Sequence, residues 1–293
     1  MVLVLLLALL FDSIGELHEK AHPVVWMGVI IEKMDDRVQK NRTRLIGFLL
    51  AVFTIFLFTF PVGVYWFFFR EVYFLPLTAL IVSSMFSFRF FYKSVKATNV
   101  EDIEEKREAV GKLVSRDVED LDERLLNSAS IETAAENLTD SIVSPLFYFA
   151  LFGLPGIVFF RVVNTLDAMI GYKKEGYHEM GFFSARLDDL LNFIPSRIAG
   201  SLILLVGGFR KGFPILKTER GIKINPGWTL SAMSGVLDRR LEKRGGYTVN
   251  DDKPFPDRDD IGRVCRIMIK VTFISILISI LLIFARWKWF GGA

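Results

Sequence analysis

Three acidic side chains recur at four-residue intervals in the stretch IETAAENLTDSIVSP, which begins at position 131. On a helix, Glu132, Glu136 and Asp140 would form one stripe of carboxylates, with Asn137 beside them. No lysine or arginine occurs from position 127 to position 144, so nearby residues do not neutralise the stripe. The stripe could be a solvated helix face with lysine partners. Because like charges repel and carboxylate oxygens suit Mg²⁺, we favour a bound cation or a cationic ligand.

A second set of candidate residues lies in RVVNTLDAMIGY. Arg161, Asn164 and Asp167 are three residues apart and sweep one face of a helix. An arginine at the end of an apolar run needs a partner. The set predicts either an internal Arg–Asp pair that orients the helix or a contact with a ligand, and both interpretations stay open.

A third set lies in GFFSARLDDLLNFIPSR. Asp188 and Asn192 share one helical face, Asp189 is adjacent, and Arg186 and Arg197 flank them. Arginine grips phosphate with two parallel hydrogen bonds, and a carboxylate can hold the accompanying metal ion. The set therefore suits a metal–phosphate site. The alternative is a group of helix-end salt bridges, each of which contributes little to stability.

Two weaker candidates open helices. His22, in HPVVWMG, titrates near neutral pH and could act as a base, but His-Pro also simply opens a turn. We keep His22 as a ligand contact rather than as a catalytic residue. Asn225, in NPGWTLSAMSG, begins a strong turn signal before a helix whose N-terminus could bind an anion.

Composition restricts the class of protein. The chain has 293 residues, of which 52% are hydrophobic and 24% charged, and its mean hydropathy is +0.37. A net charge of +3 does not suggest a nucleic-acid-binding protein. Cys265 is the single cysteine, which excludes an internal disulfide and a Cys-x-x-Cys pair. The common phosphate-loop, dinucleotide, hydrolase and zinc motifs are absent, so any nucleotide would bind in an uncommon way.

Apolar and polar segments alternate along the chain and predict an all-α, polytopic membrane protein that forms a single integral membrane domain. Helical spacing of apolar residues within the polar segment 92–144 predicts an amphipathic helical segment there. The apolar segments are about 1–17, 45–69, 72–91, 145–163, 191–208 and 267–284, and the polar segments that would build the active site are 92–144, 164–190 and 209–266.

The apolar segment 145–163 is interrupted by the Gly153-Leu154-Pro155-Gly156 sequence, which predicts a kinked crossing or a re-entrant hairpin. Lysine and arginine crowd 12–44, 92–144 and 209–266, so these segments are expected in the cytoplasm. Simple alternation would place 164–190 outside. A single site built from the acid stripe and the RLDDL stretch requires one compartment, so we predict that 164–190 is cytoplasmic.

Several long sequence motifs in this chain resemble the successive signature motifs of the cobinamide-phosphate synthases, which are integral membrane enzymes of cobalamin biosynthesis. They are HPVVWMG, SRDVEDLDERLL, IETAAENLTDSIVSPLFY, RVVNTLDAMIGY, ARLDDLLNFIPSR and NPGWTLSAMSG. The resemblance as a whole runs from about Phe11 to Arg263. Three places depart from the family pattern: Gly15-Glu16-Leu17-His18 replaces a common Gly-Asp-Pro-Pro run, Pro226 replaces an alanine, and the Gly-Gly-Tyr region after Lys243 is only loosely similar.

The resemblance implies ATP-dependent amide formation between the free propionate of adenosylcobyric acid and an amino-alcohol phosphate such as 1-amino-2-propanol phosphate. It implies ATP and Mg²⁺, corrinoid and amino-alcohol phosphate substrates, a lipid environment, and a multi-pass protein of the cell membrane whose active site faces the cytoplasm; assembly into a homo-oligomer stays open. We expect catalysis from Glu132, Glu136, Asp140, Asp188 and Asp189, metal binding by Glu132, Glu136, Asp140 and Asp188, and substrate contacts from His22, Arg116, Asn137, Arg161, Asn164, Asp167, Arg186, Asn192, Arg197 and Asn225.

Two other functions compete with this interpretation. A Mg²⁺-dependent membrane phosphotransferase would also place acids near the membrane surface, but its expected spaced aspartate motifs fit poorly here. A transporter would use intramembrane charges and related halves with broken helices. The sequence contains no such internal repeat.

Overall fold

The computed structural model describes residues 1–15, 17–39, 42–69, 72–171 and 177–290. Glu16 and residues 172–176, which belong to predicted segments, lie outside this described part. The described residues form thirteen α-helices and one two-stranded hairpin, with bounds α1 Val2–Ile14, α2 Pro23–Val38, α3 Arg44–Phe68, α4 Leu75–Ser83, α5 Phe88–Ala97, α6 Ile103–Leu113, α7 Glu123–Leu138, α8 Ser144–Ile170, α9 Phe182–Leu191, α10 Phe193–Gly207, α11 Phe209–Glu219, α12 Pro226–Leu237, β1 Leu241–Lys243, β2 Tyr247–Val249 and α13 Arg258–Phe290.

Within the described residues, four helical stretches are long and apolar enough to cross a membrane, and there are five if the bent pair α9–α10 is one span. The four are Arg44–Phe68, Leu75–Ala97, Glu123–Ile170 and Arg258–Lys288. A stretch of about 20 apolar residues is what a bilayer crossing requires. The predicted fold class, a polytopic helical membrane protein, is therefore confirmed.

The chain divides into two compact units. The first comprises the described residues within 1–87, 144–191 and 278–293. Here α1 packs on α4, and α8 packs on α2, α3, α4 and α9. Thr43 caps α3 by accepting a hydrogen bond from the Ile46 amide at 3.3 Å. Phe53, Phe56 and Phe60 of α3 are more than half exposed, as expected of a helix that faces lipid.

Helix α8 reverses direction at Gly153, whose φ of 70° and ψ of −152° are accessible essentially only to glycine. The rings of Tyr148 and Phe160 stack with centroids 5.3 Å apart. In a continuous helix their Cα atoms would be about 18 Å apart. A Cβ built on Gly156 would lie 2.6 Å from the Tyr148 carbonyl oxygen. The chain thus folds back into two adjacent arms.

The second unit comprises 88–143 and 192–277. The predicted amphipathic helical segment in 92–144 contains two separate helices, α6 and α7, because Asp102 and Asp122 each cap an N-terminus. Their shared core contains Val110, Val118 and Leu126. A π-helical turn, Thr139–Val143, follows α7.

Helices α10, α11 and α12 pack together in the second unit. Helix α12 starts at Pro226 after Asn225, which confirms the predicted turn and helix start. A Cβ on Gly235 would meet the Cα of Gly212 at 2.8 Å, so these two glycines allow α11 and α12 to approach closely. The β1–β2 hairpin, which we did not predict, pairs Leu241 with Val249 in antiparallel register.

Candidate active site

Glu132 lies in the middle of α7 and is buried. Its Oε1 atom accepts hydrogen bonds from the Arg116 guanidinium at 3.3 Å and from the Ser128 hydroxyl at 2.9 Å. Its Oε2 atom accepts one from the Tyr247 hydroxyl at 2.7 Å. Both carboxylate oxygens therefore have partners, and the charge is compensated by Arg116.

The hairpin carries Tyr247 to α7. The Glu242 backbone N–H donates to the Ser128 hydroxyl oxygen at 2.7 Å, which fixes β1 against the helix. Tyr247 faces Lys243 across the hairpin and bonds Glu132. Burial, together with the charges of Glu132 and Glu136, raises the pKa of Tyr247 above its usual range. The phenol therefore acts as a hydrogen-bond donor at neutral pH.

Glu136, one helical turn after Glu132, pairs with Lys223. The ammonium of Lys223 also lies 4.8 Å from the ring centroid of Tyr247. The acid stripe thus has cationic partners, Arg116 and Lys223, that lie outside its own lysine-free window. For Glu136 the structure thus shows the alternative that we kept, a lysine partner, although Lys223 is 87 residues away in sequence.

The regular four-residue spacing of the acid stripe continues only to the end of α7. Asp140 lies in the π-helical turn, where each turn contains an additional residue. Asn137 donates from its side-chain amide to the Thr133 carbonyl at 3.2 Å. Of the predicted stripe, Glu132 and Glu136 therefore share one α-helical face, and Asp140 follows a change in helical spacing.

Arg197, at the start of α10, is anchored by protein contacts in the second unit. Its guanidinium donates to Asn225 Oδ1 at 2.8 Å and to the Phe193 carbonyl at 2.7 Å, and it lies 3.7 Å from the Phe193 ring centroid. It also lies 5.1 Å from the Trp228 ring centroid. The structure thus joins two predicted candidates, Arg197 and Asn225. Asn192, also predicted, is buried where α10 begins.

A second polar group lies in the first unit. The Asn164 amide donates to Asp188 Oδ1 at 3.2 Å, and Arg161 donates to Asn164 Oδ1 at 3.5 Å. Asn164 therefore links the arginine of α8 to the aspartate of α9. Neither alternative that we kept for Arg161 required this link. Asp167 lies in the last turn of α8 and Asp189 in α9.

Arg186 and His22 have different surroundings. Arg186 is exposed, and its guanidinium lies 5.5 Å from the ring centroid of Phe182. His22 caps α2, since its Nδ1 atom accepts the Val24 N–H at 3.3 Å. The turn-opening interpretation of His22 thus has a structural basis, whereas Arg186 is exposed on α9.

A cavity of about 280 Å³ lies beside Arg116. This volume suits a small polar group rather than a corrin ring. The residues around it carry both signs of charge, and they are Arg116, Asp117, Asp120, Leu121, Leu125, Glu242, Lys243 and Arg244.

Sequence reasoning missed Ser128, Lys223 and Tyr247. In the part of the chain that the structure describes, no three His, Cys, Asp or Glu side chains converge as a metal cage. Mg²⁺ usually takes only one or two protein carboxylates and completes its shell with water and phosphate oxygens. The predicted metal ligands therefore stay a prediction.

Comparisons with known proteins agree on one family. Residues 5–268 match the family model described as CobD/Cbib protein. "Probable cobalamin biosynthesis protein CobD" of Thermococcus kodakarensis is 45% identical over 284 residues, which cover 95% of this chain and 94% of that protein. The protein of the same description from Thermoplasma volcanium is 35% identical over 295 residues, 96% of this chain and 97% of its own. No solved structure matches the chain.

Proposed function

The chain belongs to the CobD/Cbib family, and from this premise we propose that it is an adenosylcobinamide-phosphate synthase. It is a multi-pass membrane protein of cobalamin biosynthesis. The reaction that we propose joins the free propionate of adenosylcobyric acid to the amine of an amino-alcohol phosphate and consumes ATP. The observation that carries the proposal is the family match over residues 5–268, which include every candidate site residue.

The proposed chemistry proceeds in two balanced steps. The propionate oxygen attacks the γ-phosphorus of ATP, which gives an acyl phosphate and releases ADP. The amine nitrogen then attacks the acyl carbon, the amide C–N bond forms, and the C–O bond to phosphate breaks and releases inorganic phosphate. The ammonium must first lose a proton to a base. Activation by ATP is needed because a free carboxylate is a poor electrophile.

Glu136 is the carboxylate best suited to receive the incoming amine. Its side chain is 30% exposed, whereas that of Glu132 is 5% exposed. Glu136 already pairs with an ammonium, that of Lys223, so its surroundings accommodate a cation. We propose that Glu136 attracts the substrate ammonium and accepts its proton, and that Glu132 positions Arg116 and Tyr247.

We propose that cations bind the phosphate groups of the substrates. In the second unit, Arg116, Lys243 and Arg244 line the 280 Å³ cavity and could bind the phosphate of the amino alcohol. In the first unit, Arg186 is exposed and suited to ATP. Mg²⁺, which neutralises phosphate charge, would take Asp188 together with phosphate oxygens.

A product assay tests this function. Purified protein in detergent is incubated with adenosylcobyric acid, ATP, Mg²⁺ and 1-amino-2-propanol phosphate, and the corrinoid products are analysed by mass spectrometry. We expect a product with the summed mass of acid and amine less one water, and one ADP for each amide. Hydrolysis of ATP without amide formation across a panel of amino-alcohol phosphates would contradict the proposal.

The same assay separates the competing functions. A phosphotransferase would transfer phosphate to a lipid-like acceptor in the absence of the corrinoid. A transporter would show neither corrinoid-dependent ADP release nor an amide product. Dependence of ADP release on both the corrinoid and the amine therefore supports the ligase alone.

A further inference from the structure

Helix α11 directly follows an apolar helix. Helix α10 ends at Gly207, the chain turns at Gly208 with a φ of 128°, and α11 runs from Phe209 to Glu219. One side of α11 packs on α12 through the buried residues Gly212 and Leu216. The remaining surface of α11 faces away from the second unit's core.

Two phenyl groups are exposed on this surface. Phe209 is 57% and Phe213 42% exposed, and their rings stack with centroids 4.8 Å apart. Because successive residues on a helix are about 100° apart, these two side chains lie about 40° from each other. They form an apolar strip beside the packed face.

The solvent-facing charges of this segment are positive. Arg210, Lys211, Lys217 and Arg220 are all exposed. The one acid between Phe209 and Arg220 is Glu219, and it accepts the backbone N–H of Asn250 at 2.8 Å. Its charge is thus directed into the protein.

We propose that α11 lies in the membrane–water interface, with Phe209 and Phe213 inserted among lipid chains and Arg210 and Lys217 contacting anionic headgroups. Interfacial helices combine these features: an apolar strip with aromatic side chains and a cationic polar face. Lys217 lies about 40° beyond Phe213 and Arg210 about 100° from Phe209, so both lie beside the strip on the side away from the packed face. Thr218, about 180° from Phe209, faces water.

Three observations favour a lipid surface over a protein partner. The strip starts directly after Gly208, where α10 has ended, and α9 and α10 together are long and apolar enough to form one bent span, so the strip lies near the boundary of the membrane. The exposed charge is of one sign, which complements phosphatidylglycerol. The strip is narrow and contains two phenyl groups, whereas a stable protein interface requires a much wider surface.

Fluorescence quenching in nanodiscs tests the placement. Single cysteines replace Phe213 or, as the matched control, Thr218 in a Cys265→Ser background, and each is labelled with a polarity-sensitive probe. The discs contain phosphatidylcholine with 30% phosphatidylglycerol, or phosphatidylcholine alone. We expect nitroxide-labelled lipid to quench the Phe213→Cys probe and aqueous iodide to quench the Thr218→Cys probe. Phe209→Cys provides an independent second site.

The charge variant Arg210→Gln, Lys217→Gln tests the headgroup contacts. Each removed cation should weaken lipid association of the segment about fivefold in phosphatidylglycerol discs. The Phe213→Cys probe should then become accessible to iodide. Equal iodide quenching at positions 213 and 218 in the unaltered helix would overturn the proposal. So would a Phe213→Cys probe that neither quencher reaches, because that pattern indicates coverage by protein, such as a second copy of the chain. Lipid quenching unaffected by phosphatidylglycerol and by the charge variant would overturn the headgroup assignment.

Discussion

Glu132 and Glu136 are one helical turn apart on α7, but their surroundings suit different roles. Glu132 is enclosed by Arg116, Ser128 and Tyr247, whereas Glu136 faces a partly open surface beside Lys223. A buried carboxylate with both oxygens occupied holds its neighbours in place. A carboxylate with solvent access can exchange one cation for another.

Replacing Glu136 with glutamine should abolish most turnover without preventing insertion into the membrane. The substitution removes the charge and keeps the volume, so a general base contribution of about 10²–10⁴-fold in rate is expected to be lost. Amide formation at saturating Mg²⁺ and amine measures it. Glu108→Gln is the control, because Glu108 is an exposed acid on α6 that also pairs with a lysine. Equal activity of the two variants would exclude the role proposed for Glu136.

Tyr247→Phe should lower activity by a factor that does not change between pH 6 and pH 9. The raised pKa of Tyr247 keeps the phenol protonated throughout this range, so it donates to Glu132 and does not titrate. Its stabilising contribution is complete below the ordinary tyrosine pKa of about 10 and is lost only as pH rises through the higher folded-state pKa. Loss of a hydrogen bond to a carboxylate should lower the free energy of unfolding by about 1.5–3 kcal/mol. A shifted pH–rate profile would instead identify Tyr247 as the base.

Arg186 and Arg197, which flank Asp188 and Asn192 in the sequence, should respond differently to lysine substitution. Arg197 makes several contacts with Asn225 and Phe193, so Arg197→Lys should lower the free energy of unfolding by about 1.5–3 kcal/mol. Arg186 is exposed, so Arg186→Lys should keep stability and raise the KM for a phosphate-bearing substrate roughly tenfold through loss of its bidentate geometry. Thermal unfolding and steady-state kinetics separate these effects. An Arg186→Lys enzyme with unchanged KM values for both phosphate substrates would exclude phosphate binding.

At this scale, the sequence predicted the acids of α7 but not their partners. Helical spacing relates Glu132 to Glu136 directly, because four residues make one turn. Lys223 and Tyr247 are 87 and 115 residues from the acids that they contact, and no local pattern encodes such distances. The Gly-Gly-Tyr sequence was a usable signal, since Gly245 and Gly246 allow a tight turn that directs the next aromatic residue inwards.

At the scale of elements, the lengths of the apolar runs predicted where helices lie more accurately than where one helix ends and the next begins. The predicted segment 45–69 corresponds to α3, Arg44–Phe68. The amphipathic segment 92–144 is divided, because Asp122 offers a better cap than continuation of one helix. The short hairpin was missed because strands of three residues contain too few positions for an alternating pattern.

Gly153→Ala tests the reversal of α8. A residue with a Cβ in the backbone conformation of Gly153 carries about 1–3 kcal/mol of conformational strain. The new Cβ would also lie 2.9 Å from Trp66 Cζ2. We expect a lower midpoint of thermal unfolding. Gly63→Ala is the control, since Gly63 lies within α3 with no atom near its would-be Cβ and should be neutral or up to about 1 kcal/mol more stable. Equal stability of both variants would contradict a strained turn at Gly153.

At the scale of the whole molecule, the two compact units each combine segments distant in sequence. The first draws on residues near both ends of the chain and on 144–191, and the second on the segments between them. Hydropathy depends on local composition, so it located apolar runs but not which runs pack together. Helix α13 contributes residues up to Leu277 to the second unit and residues from Ile278 to the first, a division that no composition change marks.

The reversal at Gly153 also bears on which side of the membrane the following segment faces. If residues 145–163 crossed once, residues 164–190 would lie outside the cell, where ATP is not available to Arg186 and Asp188. Two short arms that meet at Gly153 can leave the membrane on the side where they entered, provided that protein shields the broken backbone. Both arms are largely buried, which is consistent with such shielding.

We therefore expect the loop that contains His178 to be cytoplasmic, although simple alternation of the apolar segments argues the other way. A single cysteine at His178, whose side chain is 78% exposed, in a Cys265→Ser background reports on this loop. An impermeant thiol reagent should label His178→Cys only after the cells are permeabilised. Tyr73→Cys is the control for the outside, since Tyr73 is 82% exposed and follows the first long span, α3. Labelling of His178→Cys in intact cells, to the same extent as Tyr73→Cys, would show that 145–163 crosses the membrane and that Arg186 and Asp188 do not serve ATP.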